Sequence, residues 1–135
     1  MKYNAVIHRK FALLDKYLLQ LQRELKDVDI EAFKNDWALQ RMTERVLQVM
    51  AEVVVDITER IIASKGAGPA ATAAEAIEKL VELRVIKSAK PYTNMVKFRN
   101  IILHQYEEID PEIIFNIAKN ELDAFRQFRD EIDKA

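Results

Sequence analysis

The sequence has no cysteine, and its 135 residues include only two histidines, two serines, two glycines and three prolines. Without cysteine there is no disulfide framework, no thiolate nucleophile and no sulfur-ligated zinc site, which fits a reducing compartment. So few turn residues argue against a sheet protein, whose strands need frequent tight turns, and for helices. Ser64 and Ser88 both fall at expected helix boundaries, so a Ser-His-Asp hydrolase has no natural nucleophile here. Long apolar runs are missing too. None approaches the ~20 residues of a membrane span, and Met1 to Lys10 mixes charges into its apolar residues, unlike a signal peptide. The expectation is one soluble, cytoplasmic domain over residues 1–135.

Charge is nearly balanced, with a formal net charge of −1, so no strong global attraction to nucleic acid follows. Its distribution is uneven. Residues 79–99 carry six basic side chains (Lys79, Arg84, Lys87, Lys90, Lys97, Arg99) and one acid, Glu82, whereas residues 107–135 carry nine acids and four bases. Solvated helix faces explain this as well as a phosphate-attracting patch does.

Apolar periodicity predicts an all-α chain of five helices. Tyr3, Ile7, Phe11, Leu14, Leu18, Leu21 and Leu25 recur at intervals of three and four and share the face of a first helix. Asp29 is a candidate N-cap for a long second helix over about Ile30 to Ala63. Met42, Val46, Val49, Val53, Ile57 and Ile61 form its inner stripe, and Leu47, Val54, Val55 and Ile62 widen the apolar arc. So broad an arc needs cover, either from several helices of its own bundle or from a homodimer partner. The SKGAGPAA stretch, residues 64–71, is the central loop; its Gly-x-Gly follows a helix, not a strand, and is no phosphate cradle. Thr72 and Glu75 make a capping box for a third helix to about Arg84, Ser88 marks the start of a fourth, and Asp110-Pro111 opens a fifth. On that fifth helix Ile114, Ile117, Ala118, Leu122, Phe125, Phe128 and Ile132 line the buried side.

Little of this chain suits chemistry. His8 lies beside Arg9 and Lys10 and reads as a surface histidine. No His, Asp and Glu cluster has ligand spacing, so no metal and no cofactor is expected. Glu107 and Glu108 are neighbours, which is not the arrangement of a glycosidase pair. One segment differs: Phe98-Arg99-Asn100-Ile101-Ile102-Leu103-His104-Gln105-Tyr106 concentrates a guanidinium, an amide, an imidazole and a phenol within two turns. On a regular helix Arg99 and His104 lie ~140° apart, Arg99 and Tyr106 share a face, and Asn100 and His104 are neighbours. Arg99 reaches round, or the helix loosens near His104, or two copies pair across an axis; the spacing leaves all three open. Satisfying the carbonyls and dipole of a helix C-terminus is the plainer role for such cations.

This Arg-x4-His, set in Arg-Asn-Ile-Ile-Leu-His-Gln-Tyr, resembles the Arg-x4-6-His signature of the HEPN superfamily, and the added Tyr106 resembles its HepT-like toxins. From Ala38 to Phe128 the order of elements is similar as well: a long apolar helix, a Gly-x-Gly-Pro loop, a short helix, the motif helix and an aromatic-rich last helix. The resemblance implies a helical bundle with an up-and-down antiparallel core and metal-independent cleavage of RNA. It makes Arg99 and His104 the catalytic pair, with Asn100 in support. It also implies a homodimer and a partner, a minimal nucleotidyltransferase antitoxin that adenylylates Tyr106. The alternative within the superfamily is a non-catalytic nucleotide- or RNA-binding subunit of such a nucleotidyltransferase.

Overall fold

The first stripe folds as its spacing requires. A computed structural model describes residues 4–104 and 109–135. In it α1 (Ala5–Leu25) buries Ile7, Phe11, Leu14, Leu18, Leu21 and Leu25 on one face. Asn4 caps it by accepting the Ile7 N–H at 3.1 Å. Six further helices follow among the described residues: α2 (Ile30–Lys34), α3 (Trp37–Ser64), α4 (Ala73–Glu82), α5 (Lys90–His104), α6 (Pro111–Asn120) and α7 (Asp123–Lys134). None is long and apolar enough to cross a membrane.

The expected five helices are thus seven, because two of them break. The predicted second helix splits at Asn35-Asp36. Asp36 restarts the chain as an N-cap, its side chain accepting the Leu39 N–H at 3.0 Å. A buried side chain ties down the end of α2: Gln40 Nε2 donates to Lys34 O at 3.1 Å and to Phe33 O at 2.8 Å, which also accepts the Asp36 N–H. The predicted fifth helix breaks after Asn120, where Glu121 adopts φ −118°. Tighter three-residue bonds, Ala124 N–H to Glu121 O and Phe125 N–H to Leu122 O, lead into α7. Leu122 stays buried in line with Ala118 and Phe125, so the apolar stripe runs through the break without registering it. The expected caps are found at Asp29, Thr72 and Asp110. The fourth predicted helix starts two residues after Ser88; its first turn closes on the Ala89 carbonyl, which accepts the Tyr92 and Thr93 N–H groups.

The helix α3 is the axis of the bundle. Leu47, Val54, Val55 and Ile62 are all buried among the chain's own helices, so the wide apolar arc gives no support to a homodimer. Gly68 backs onto it so closely that a Cβ there would meet Ile62 Cγ2 at 2.5 Å.

Cross-contacts set the direction of each helix. Lys10 of α1 pairs with Asp56 of α3 at 2.5 Å, and Asp15 with Arg129 of α7 at 3.2 Å. Lys119 of α6 donates to the Leu25 carbonyl at the far end of α1. On α5, Tyr92 touches Phe128 and Glu131 of α7, whereas Phe98 shares a cavity wall with Ile117 of α6. α1 therefore runs antiparallel to α3, and α5 antiparallel to α6–α7. Lys34–Glu112 (2.6 Å) and Phe33–Phe115 (ring centroids 5.1 Å apart) tie α2 to the start of α6. One end of the bundle thus gathers α2, the first turns of α3, the last turns of α5 and the first turn of α6.

Candidate functional site

The helix α5 begins as a structural element. Pro91 sits in its first turn, where a missing N–H costs nothing. Tyr92, Met95, Val96 and Phe98 form its buried face. The Tyr92 hydroxyl donates to Glu131 Oε2, and Glu131 Oε1 accepts the Lys87 N–H at 3.1 Å. Burial first, and then the hydrogen bond to the Glu131 carboxylate, push the Tyr92 phenol well above the usual tyrosine range.

Seven residues on, the same stripe carries Arg99 instead of an apolar residue. Its stem is half-buried, and its Nε is buried with no acceptor among the described residues. Its Nη2 donates to Asn100 Oδ1 at 3.0 Å. The arm has therefore turned from the core-facing stripe toward Asn100, which lies one turn from His104. Of the three arrangements the spacing left open, the helix does not loosen: α5 remains α-helical through His104. His104 and Asn100 are exposed.

The helix then outruns the core. Val96 is 2 % exposed, but Leu103, two turns further along the same stripe, is 48 % exposed. Among the described residues, buried side-chain atoms lacking a hydrogen-bond partner fall on Arg41, Thr43, Glu44 and Arg99, all at this end of the bundle. Arg41 Nη2 lies 3.2 Å from Glu44 Oε2, near enough for ion pairing although not aligned as a hydrogen bond. The Arg41 guanidinium also stands over the Trp37 ring, 5.9 Å from its centroid. The sequence reading missed Arg41 and Glu44, because on α3 they look like any charged pair one turn apart.

His8 is not part of this end. It is half-buried on the first turn of α1, edge-on to Phe11 at 6.3 Å, two residues from the Lys10–Asp56 pair at the opposite end. Tyr106, Gln105, Glu107 and Glu108 lie outside the described residues, as does Tyr3. No group of three or more His, Cys, Asp and Glu placed to hold a metal ion occurs among the described residues.

Comparison with known proteins agrees with this architecture. The chain is 27 % identical over 131 residues to the "mRNA nuclease HepT" of Shewanella oneidensis, covering 96 % of this chain and 97 % of that protein. It is 26 % identical over 112 residues to the "tRNA nuclease HepT" of Aphanizomenon flos-aquae, covering 82 % and 76 % respectively. Among solved structures it superposes with a TM-score of 0.89 on the tri-AMPylated Shewanella oneidensis HEPN toxin in complex with MNT antitoxin. That match is 26 % identical and covers 98 % of this chain and all of the other. A toxin–antitoxin structure with AMP-PNP matches with the same TM-score at 25 % identity and the same coverage. The profile described as "Ribonuclease HepT-like" matches residues 14–132, nearly the whole helical array described above, and the chain belongs to that HepT-like ribonuclease family.

Proposed function

We propose that this chain is an endoribonuclease, the toxin of a toxin–antitoxin pair, and that it cleaves RNA without a metal through Arg99 and His104. The observation that carries this reading is the turn of the Arg99 guanidinium onto Asn100 at 3.0 Å, toward the face that Asn100 shares with His104. RNA brings its own nucleophile, the 2′-hydroxyl beside each phosphodiester. Its oxygen attacks phosphorus, the bond from phosphorus to the 5′ oxygen breaks, and a 2′,3′-cyclic phosphate and a 5′-hydroxyl result. One proton leaves the 2′-hydroxyl and one must reach the departing oxygen, both within reach of imidazole chemistry near neutral pH. Arg99 offers a planar fork of donors to the phosphate oxygens as charge builds, and Asn100 holds that fork in place.

A single imidazole serves as base or as acid at one moment, and a second copy of the chain supplies the other. The exposed apolar residues support a homodimer joined at this end. Trp37, Ile101, Leu103 and Ile113 belong to its helices, and with Leu19 they make up the large exposed hydrophobics among the described residues.

The partner is a nucleotidyltransferase antitoxin, in keeping with the AMPylated toxin–antitoxin complex on which the chain superposes. It joins the Tyr106 phenol to the α-phosphorus of ATP with loss of pyrophosphate. The adenylate on Tyr106 then blocks RNA by bulk and charge.

The test is incubation of the pure chain with a mixed RNA pool in excess EDTA, beside His104→Ala. Cleavage by the wild type alone supports the reading. No cleavage by either, with Tyr106 unmodified by mass spectrometry, makes the chain a binding subunit instead.

A further inference from the structure

Beside the motif stretch of α5, on the side away from His104, a cavity of about 270 Å³ opens between α3, α5 and the break between α6 and α7. Its floor is apolar, with Leu47, Met95, Phe98 and Phe125. Its rim carries Asn94, Asn120, Glu121 and Gln127, all exposed. Phe98 immediately precedes Arg99, and Asn94 stands one turn before Phe98 on the same helix. The volume falls below the ~300 Å³ at which drug-sized pockets begin, which leaves room for a single flat ring system. Aromatic side chains below and amides around are a means by which proteins hold an unstacked base.

The rim chemistry narrows the ligand further. Neither Asn94 nor Gln127 is hydrogen-bonded to another described residue, so both amides are open to a ligand; Asn120 is already bonded to Asn116 Oδ1. An amide meets an amino group and its neighbouring ring nitrogen with two hydrogen bonds, and a carboxylate accepts from an exocyclic amine, an edge that adenine and cytosine both present. Uracil would set a carbonyl oxygen against Glu121.

We propose that this cavity is a nucleobase subsite for an unpaired base with an exocyclic amine, adenine or cytosine, on an RNA strand that crosses α5 from the Arg99–His104 face. That the ligand is RNA rests on the ribonuclease reading above; the subsite itself is tested by binding alone.

The experiment uses His104→Ala protein and three short RNAs that differ only at a central position: adenine, uracil or abasic. Adenine RNA is expected to bind about tenfold tighter than abasic RNA, the scale of one buried, stacked base. Ala124→Leu, which fills the cavity from α7, and Gln127→Ala, an exposed rim change, should each remove most of that preference and leave abasic affinity unchanged. Should the melting temperature of Ala124→Leu fall, Gln127→Ala decides. Equal affinity for adenine and abasic RNA overturns the subsite. So does a change in oligomeric state on Ala124→Leu with RNA preference intact, which makes the cavity a contact between chains. The two readings fail separately. Wild-type protein that prefers adenine but cuts no RNA keeps the subsite and loses the ribonuclease. Protein that cuts RNA without any preference does the reverse.

Discussion

Tyr92 and Arg99 stand on one stripe of α5, two turns apart, in opposite surroundings. The Tyr92 ring is fully buried against Phe128, and its hydroxyl is satisfied by Glu131. Arg99 has a buried Nε without an acceptor among the described residues, and the next residue on its stripe, Leu103, is half in solvent. A buried polar group is normally paired, because leaving it unpaired costs about 1–3 kcal/mol. The first end of α5 obeys that rule and holds the bundle together. The second end departs from it, and the departure falls on the residues the motif singles out. One helix thus divides into a part that makes the fold and a part that the fold presents.

The largest expected effects lie at the presented end. His104→Ala should lower RNA cleavage by about 10²–10⁴-fold, the usual contribution of a positioned acid or base. Arg99→Ala should lower it by about 10²–10³-fold. His104→Ala, at an exposed position, should shift unfolding free energy by no more than about 0.5 kcal/mol. Arg99→Ala loses a half-buried stem and also a buried Nε, two effects of opposite sign, and should shift it by no more than about 1 kcal/mol. Thermal melts beside cleavage rates check this, and a large loss of stability in either variant would erase the contrast between the two ends.

Tyr92→Phe is the converse experiment. It should cost about 1–3 kcal/mol in denaturant unfolding, because one oxygen of the Glu131 carboxylate loses its donor. Cleavage per folded molecule should not change. The same tyrosine gives a pH signature. Its pKa is raised on folding, so its contribution is fully present below the unfolded tyrosine value of about 10 and fades as pH rises above it. Wild-type stability should therefore fall above pH ~10 more steeply than that of Tyr92→Phe.

The smallest effect concerns the turn into α5. Arg84 adopts φ +60°, where a side chain costs roughly 1–2 kcal/mol and glycine nothing. Arg84→Gly should relieve this, less the extra freedom glycine gains when unfolded, for a net stabilisation of no more than about 1 kcal/mol. It should leave cleavage untouched, since it acts at the structural end.

Much of the fold was legible because burial is periodic. Every described residue of the α1 stripe is buried, and Asp29, Thr72 and Asp110 cap where their chemistry says. The two missed breaks have different causes. Asn35-Asp36 is a local stop-and-restart signal that the long apolar stripe of α3 outweighed. At Glu121 there is no local signal, since Ala118, Leu122 and Phe125 keep their spacing through the break. The breadth of the α3 arc was plain in the sequence, but its cover was not, because burial on one helix does not say which neighbour provides it.

The candidate residues were legible by type, and their placement was not. Arg99, Asn100 and His104 stood out by residue type, whereas the turn of Arg99 onto Asn100 depends on a rotamer that spacing leaves free. Arg41 and Glu44 became visible only when the ends of the helices were aligned. The cavity beside Phe98 draws on four helices, and no local pattern joins Leu47, Phe98 and Gln127.

The most direct test of the account uses two oligonucleotides that differ by one atom. One is all RNA and contains a mapped cleavage site; the other has hydrogen in place of the 2′-hydroxyl at that site. Both are incubated with wild-type protein in EDTA. The account predicts a 2′,3′-cyclic phosphate and a 5′-hydroxyl end from the first and no cut at that position in the second. Equal cleavage of both would contradict it, because the attacking oxygen could not then be the RNA's own.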